Sequence, residues 1–184
     1  MKPTLSLSLS VAGFVVATAA VAAGSFKLKA EPSISFTATG VAGLKINGAT
    51  SRLTMSEEGD KLTFKAPTTD FKTGIGLRDR HLKEHIEADK FPEAKLVLDR
   101  SKIAFPDGAA ATAKSSSVRG DFTLHGISKP VDITYGVDKT AAGYHVHGDF
   151  DVNLQDYKIQ KPCYMGICVG DKVHVTASFD VQGS

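Results

Sequence analysis

Apolar and polar residues alternate along most of the chain beyond Phe26. Ile34, Phe36 and Ala38 are interleaved with Ser35, Thr37 and Thr39, and Leu62, Phe64 and Ala66 with Thr63 and Lys65. Phe122 and Leu124 lead, past Gly126, into Val131, Ile133, Tyr135 and Val137. The two longest runs are Tyr144, Val146, Gly148, Phe150, Val152 and Leu154, and then Val173, Val175, Ala177, Phe179 and Val181. A period of two puts each apolar set on one face of a strand. One dry face and one wet face predicts antiparallel rather than parallel sheet. The pairs Asn47-Gly48, Gly59-Asp60, Asp107-Gly108, Ala142-Gly143 and Gly170-Asp171 punctuate the runs as expected turns. Only one segment follows a helical spacing: between Arg78 and Asp89, Leu82 and Ile86 stand four apart among charged residues, and Phe91-Pro92 follows as a stop. The expectation is an all-β domain of eight to ten antiparallel strands with one short helix.

A sheet of that size with one dry face either closes on itself or packs face to face with another. Closure removes the exposed edges. About eight strands enclose a space that side chains fill or that one small ligand occupies. The pattern alone leaves a packed sandwich and a hollow barrel both open. The dry face is rich in Phe and Leu: Phe36, Phe64, Leu98, Phe122, Leu124, Phe150, Leu154 and Phe179.

Composition narrows the partners. Lys plus Arg number 22 against 20 Asp plus Glu, a net charge of +2, which is too balanced to call for nucleic acid or an acidic membrane surface as partner. The first residues read as an address rather than as fold material. Lys2 precedes an uncharged apolar stretch ending in Ala20-Val21-Ala22, the small-x-small pattern of a secretory cleavage site. Residues 1–22 are therefore expected to be a removable signal peptide and residues 23–184 the mature domain, with no integral membrane span after cleavage. Export permits disulfides. The chain has two cysteines, Cys163 and Cys168, and a Cys163–Cys168 disulfide across a tight loop is expected.

Candidate chemistry is sparse. There is no Gly-x-Ser-x-Gly elbow, P-loop or His-Glu-x-x-His, and the Gly74–Asp79 stretch lacks the third glycine of a dinucleotide fingerprint. His145, His147 and His174 share polar strand faces with Asp149 and Asp151. That set is compatible with a metal, but nothing in the sequence brings the ligands together, and no metal or cofactor is assigned. The densest polar cluster is Arg78-Asp79-Arg80-His81. It reads either as donors at the mouth of a cavity, suited to a phosphate-bearing headgroup, or as ties between helix and barrel rim.

Three ordered motifs carry a resemblance to a known family. Thr73-Gly74-Ile75-Gly76-Leu77-Arg78-Asp79-Arg80-His81-Leu82 resembles the Arg-Asp-x-His-Leu signature of the YceI family, and Phe91-Pro92-Glu93-Ala94-Lys95-Leu96 its aromatic-Pro step into a strand. Val118 to Val131, with Phe122-Thr123-Leu124-His125-Gly126-Ile127-Ser128-Lys129-Pro130-Val131, is similar to its Gly-x-(Thr/Ser)-Lys-Pro-Val segment. The stretch Leu154 to Ile159 keeps that family's Asp156 and Tyr157 but not its Arg and Gly.

The resemblance implies a lipocalin-like antiparallel barrel in the periplasm. It would hold a long-chain isoprenoid or other amphiphilic lipid for transport or storage, without an enzymatic activity. It selects the hollow barrel, places the lipid tail against the eight Phe and Leu residues named above, and puts its polar end near Arg78, His81 and Tyr157. The alternatives are an envelope stress or interaction protein without a dedicated lipid, and a metal- or thiol-dependent enzyme. A homodimer is left open.

Overall fold

The computed structural model describes residues 26–29, 31–106, 115–164 and 167–183. The strands are β1 (Phe26–Leu28), β2 (Ser33–Gly40), β3 (Lys45–Thr50), β4 (Thr54–Glu58), β5 (Lys61–Pro67), β6 (Glu93–Asp99), β7 (Ser116–Leu124), β8 (Ile127–Thr140), β9 (Gly143–Asn153), β10 (Cys163–Tyr164) and β11 (Ile167–Gly183). One α-helix, α1 (Gly76–His85), joins β5 to β6. No helix of the described residues is long and apolar enough to cross a membrane.

The sheet runs β3-β2-β11-β9-β8-β7-β6-β5-β4, every pairing antiparallel. Its two ends belong to one stretch of chain. β3 and β4 run in the same direction with only residues 51–53 between them, so a single bent segment pairs first with β2 and then with β5. That bend curls the sheet into a barrel. Past the bend, the free side of each half is covered: Lys72 bridges to Ala49 of β3 through two backbone bonds of 2.9 Å, and β1 pairs with the end of β11 while donating from the Phe26 amide to Glu57 of β4 at 3.1 Å.

The period-two sets all turn inward, and register aligns them across strands. Phe64 stands opposite Leu96, Leu96 opposite Phe122, and Val175 opposite both Phe150 and Phe36. The interior is not filled to the centre. Leu62, Leu98, Phe122, Phe150 and Val152 are buried, whereas Phe64, Leu96, Leu124, Val173 and Val175 point inward yet stay only half-buried.

Three local expectations are corrected. Asn47-Gly48 is strand, not turn: the chain reverses earlier, at Val41–Gly43, and the missing side chain of Gly48 leaves room for the Phe36 ring, whose atoms lie 2.4 Å from where a Cβ would stand. Gly170-Asp171 also lies within a strand, at a register shift between Val169 and Val173 of β11, where a Cβ on Gly170 would meet the Thr39 carbonyl oxygen at 2.9 Å. The helix begins at Gly76 and ends at His85, not at Asp89. Glu87 adopts a left-handed φ of 47°, and the Ala88 amide bonds back to the Lys83 carbonyl at 2.9 Å, closing the helix with a Schellman-type turn. Asp107-Gly108 and the proposed signal peptide lie outside the described residues.

A hollow interior has a measurable signature. Phe122 packs against the rings of Phe150 and Tyr157, at centroid distances of 5.0 and 5.8 Å. Phe122→Ala should therefore cost about 3–5 kcal/mol in urea denaturation, the range for a packed core ring. Phe64→Ala should cost about 1–2 kcal/mol, because removing that ring enlarges an existing space rather than opening a new one. Equal losses would indicate a filled core.

Candidate functional site: an apolar cavity under the helix

The barrel encloses a cavity of about 620 Å³. Strand residues supply most of its wall, and the apolar positions expected there line it: Phe36, Phe64, Leu98, Phe122, Leu124, Phe150 and Phe179 from strands, and Leu154 from the turn after β9. The helix supplies one end. Ile75, Leu77, Leu82 and Ile86 face the space together with Arg78, His81 and His85. The Cys163–Cys168 disulfide is present and lines the same end, its two cysteines paired across β10 and β11.

Arg78 is held at this end but not saturated. Its Nη2 donates to the Thr73 carbonyl at 2.6 Å, while its buried Nε has no hydrogen-bond partner among the described residues. Asp79 ties the start of the helix to the preceding loop: one carboxylate oxygen accepts from the Thr73 amide at 2.6 Å and from the Thr73 hydroxyl at 2.5 Å. Those two bonds, the hydroxyl's first, hold the Asp79 carboxyl below the ordinary value of 3.8. The two readings of the Arg78–His81 cluster thus divide by residue. Asp79 is a local tie, whereas Arg78 is both a tie and a cavity-lining cation with a donor to spare.

Tyr157 does not join them. It is 2% exposed, packs behind the Phe122 ring, and is absent from the cavity wall. Its hydroxyl has no hydrogen-bond partner among the described residues, and burial, with Asp156 nearby, pushes its pKa up to about 12. Its backbone has the structural role: the Tyr157 carbonyl bonds His125 Nδ1 at 2.9 Å. Of the three residues expected at a ligand's polar end, Arg78 and His81 line the cavity and Tyr157 does not.

His125 was not singled out as a site residue, yet it joins three elements. It sits with Gly126 in the two-residue turn between β7 and β8, both at positive φ (52° and 73°), as a primed hairpin turn requires. Its Nδ1 meets the Tyr157 carbonyl and its Nε2 meets Glu87 beyond the helix end, each at 2.9 Å, while its ring stands edge-on to Phe91 at 4.5 Å. His125 and Glu87, both non-glycine residues in left-handed conformations, thus hold one another and fix the helix against the barrel. Of the remaining histidines, His147 is among the cavity-lining residues, and His145 and His174 are not. His145 bonds Asp180 at 2.7 Å and His174 bonds Asp151 at 3.0 Å, while His147 is 3.8 Å from Asp138, so each stands against its own carboxylate instead of converging with the others.

Comparison with known proteins now decides the family. Residues 27–181 match the YceI-like domain. The chain belongs to that family. The YceI-like chain is also 33% identical over 113 residues to a UPF0312 protein of Pseudomonas syringae pv. syringae, covering 57% of this chain and 55% of that one. It is 34% identical over 109 residues to a UPF0312 protein of Pseudomonas fluorescens, covering 54% of each. The chain spans about half the length of these curated relatives. Two solved structures share the fold. A polyisoprenoid binding domain from Saccharophagus degradans, implicated in plant cell wall breakdown, superposes with a TM-score of 0.68 at 14% identity, covering 88% of this chain and 99% of that one. Burkholderia cenocepacia BcnA superposes with a TM-score of 0.63 at 15% identity, covering 82% and 95%.

The His125 clamp is testable. His125→Ala should cost about 1–3 kcal/mol, chiefly through the Tyr157 carbonyl left without its donor, and should speed amide exchange at residues 86–91. The acid dependence has a definite sign. The His125 bond holds the Glu87 carboxyl below its ordinary 4.5, so the contribution is present above that value and is lost as pH falls through the lower, folded one. Glu87→Gln should lower Tm at neutral pH and flatten its fall in acid. An unchanged acid slope would show that the clamp does not titrate.

Proposed function

We propose that this YceI-like chain binds one long-chain isoprenoid or similar amphiphilic lipid inside its barrel, for carriage or storage in the periplasm after removal of residues 1–22. The observation that carries the reading is the cavity itself: about 620 Å³, walled by Phe, Leu, Ile and Val, with a single guanidinium, that of Arg78, at its helix end. A space of this kind binds by apolar contact. Each buried methylene contributes about 0.8 kcal/mol, so ten contribute about 8 kcal/mol before ordering costs. Phenylalanine suits the wall because its rigid ring gives large contact area at small entropy cost. The polyisoprenoid binding domain of the same fold supports the ligand class. The apolar stretch ending in Ala20-Val21-Ala22 supports export. The mostly apolar wall favours binding over catalysis.

The spare Nε of Arg78 suggests where the polar end rests. A phosphate or carbonyl oxygen arriving there would satisfy a donor that is otherwise buried unpaired.

Organic extraction of the purified protein followed by mass spectrometry should recover a long-chain lipid, and an empty cavity that refuses added isoprenoid would overturn the reading. Phe150→Asp should abolish uptake, since a carboxylate would then stand in the apolar wall. Arg78→Ala should weaken a phosphorylated isoprenoid at least tenfold more than an uncharged quinone. Equal weakening of both, accompanied by a lower Tm, would leave Arg78 as a tie to Thr73 only.

A further inference from the structure

We infer that the α1 end of the barrel docks onto a bilayer surface bearing anionic phospholipid headgroups, with Leu44, Ile75 and Leu77 entering the interface. The large hydrophobic side chains left exposed among the described residues are Val41 (63%), Leu44 (46%), Ile75 (53%) and Leu77 (46%). Single exposed apolar residues are ordinary, but a cluster on one rim marks a contact surface. These four sit on two segments only, the turn between β2 and β3 and the start of α1. The Ala49–Lys72 bridge is antiparallel, so the chain beyond Lys72 heads back along β3 toward its Leu44 end. Leu44, Ile75 and Leu77 all line the mouth of the cavity. The turn is a fixed platform: the Gly40 amide bonds the Leu44 carbonyl at 2.6 Å and the Leu44 amide bonds the Val41 carbonyl at 3.1 Å.

Charge selects the occupant. Residues 72–83 carry Lys72, Arg78, Arg80 and Lys83 against one carboxylate, Asp79, whose bonds to Thr73 turn it toward the protein. Lys45 directly follows Leu44, and Lys45, Lys72 and Arg80 are exposed. An apolar tip ringed by cations fits a membrane interface, where the apolar groups reach the acyl boundary and the cations rest among anionic headgroups. A second copy of this chain fits poorly, because a two-fold contact would set the same cations against each other. The inference deepens the lipid-carrier reading, and only its purpose rests on that reading: a lipid chain could pass between bilayer and barrel without entering water.

The chain has no Trp, so a single introduced indole reports one place. Leu77→Trp puts it on the patch, and Thr140→Trp puts it in the hairpin between β8 and β9 at the other end of the barrel. With vesicles of mixed phosphatidylcholine and phosphatidylglycerol, Leu77→Trp fluorescence should shift to the blue and be quenched by brominated acyl chains, while Thr140→Trp stays unchanged. Phosphatidylcholine alone should give a weaker response. In the Leu77→Trp background, Lys45→Gln and Lys72→Gln should each weaken vesicle binding about fivefold, as expected for removing one cation from an anionic surface.

No response of Leu77→Trp, or an equal response at both positions, would overturn the inference. So would a shift that follows protein concentration in the absence of vesicles, which would place a second copy on the patch. Isoprenoid uptake from detergent micelles, measured in parallel, separates the two ideas. Uptake without a Trp response overturns docking alone, and a Trp response without uptake overturns the carrier reading alone.

Discussion

The structure depends on one segment, residues 45–58, being shared between the two ends of a sheet. A sheet with an apolar inner face from edge to edge has to close, or else leave both its strand edges and its dry face in water. Here closure comes from a bend and not from a further strand: β3 satisfies the β2 edge, three residues follow, and β4 satisfies the β5 edge. Because the bend lets the two halves diverge, each has a free side to be covered, by the Lys72 bridge on one half and by β1 on the other. The helix belongs to the first of these repairs. It is the continuation of the chain that covers the β3 edge, and it lies across the cavity end for that reason.

A curled sheet of this size leaves a space its own side chains do not fill. Gly48 and Gly120 bring neighbouring side chains close, where a Cβ would collide with Phe36 or with Leu98, and a Cβ on Gly148 would press on the Thr134 carbonyl at 3.2 Å, so parts of the wall are tightly drawn in. The half-buried Phe64, Leu96 and Val175 show where the wall stops short of the centre. Tight wall and open middle coexist because burial against the neighbouring strand and burial against the opposite wall are separate events. Only the first is achieved everywhere.

The same separation explains what could be read from sequence. Period-two alternation reports which face of a strand is dry, and all eight Phe and Leu positions assigned to the interior on that ground line the cavity. Alternation cannot report whether a dry face meets another side chain or empty space, so hollowness came from family resemblance and not from pattern. Turn signals fared unevenly for a related reason. Gly59 and Gly143 adopt positive φ at chain reversals, whereas Gly48 and Gly170 are glycine because a ring or a carbonyl passes over them, and the two causes leave the same letter. The identity of Tyr157 did not show which way its ring turns: its backbone joins the helix end through His125, but its side chain turns into the wall behind Phe122. His125 carried no signal on its own. Its role arises from the left-handed turns at His125 and Glu87 meeting in space.

The barrel's two ends also differ in how they treat a buried guanidinium. Far from α1, Arg100 stacks over Phe26 and Phe105, 4.7 and 4.3 Å from their ring centroids, with Glu57 at 3.9 Å. Its Nε, like that of Arg78, lacks a hydrogen-bond partner among the described residues, but two ring faces and a carboxylate compensate the charge. That cluster, joined by Tyr144 edge-on to both rings, plugs its end of the barrel. Arg78 has no such ring partners among the described residues; the Thr73 carbonyl accepts from its guanidinium in a wall that is mostly apolar. An uncompensated buried donor is costly wherever it stands. Two arginines with the same unpaired atom therefore stand in different surroundings: Arg100 has two rings and a carboxylate beside it, and Arg78 keeps a buried donor in the cavity wall beneath the helix.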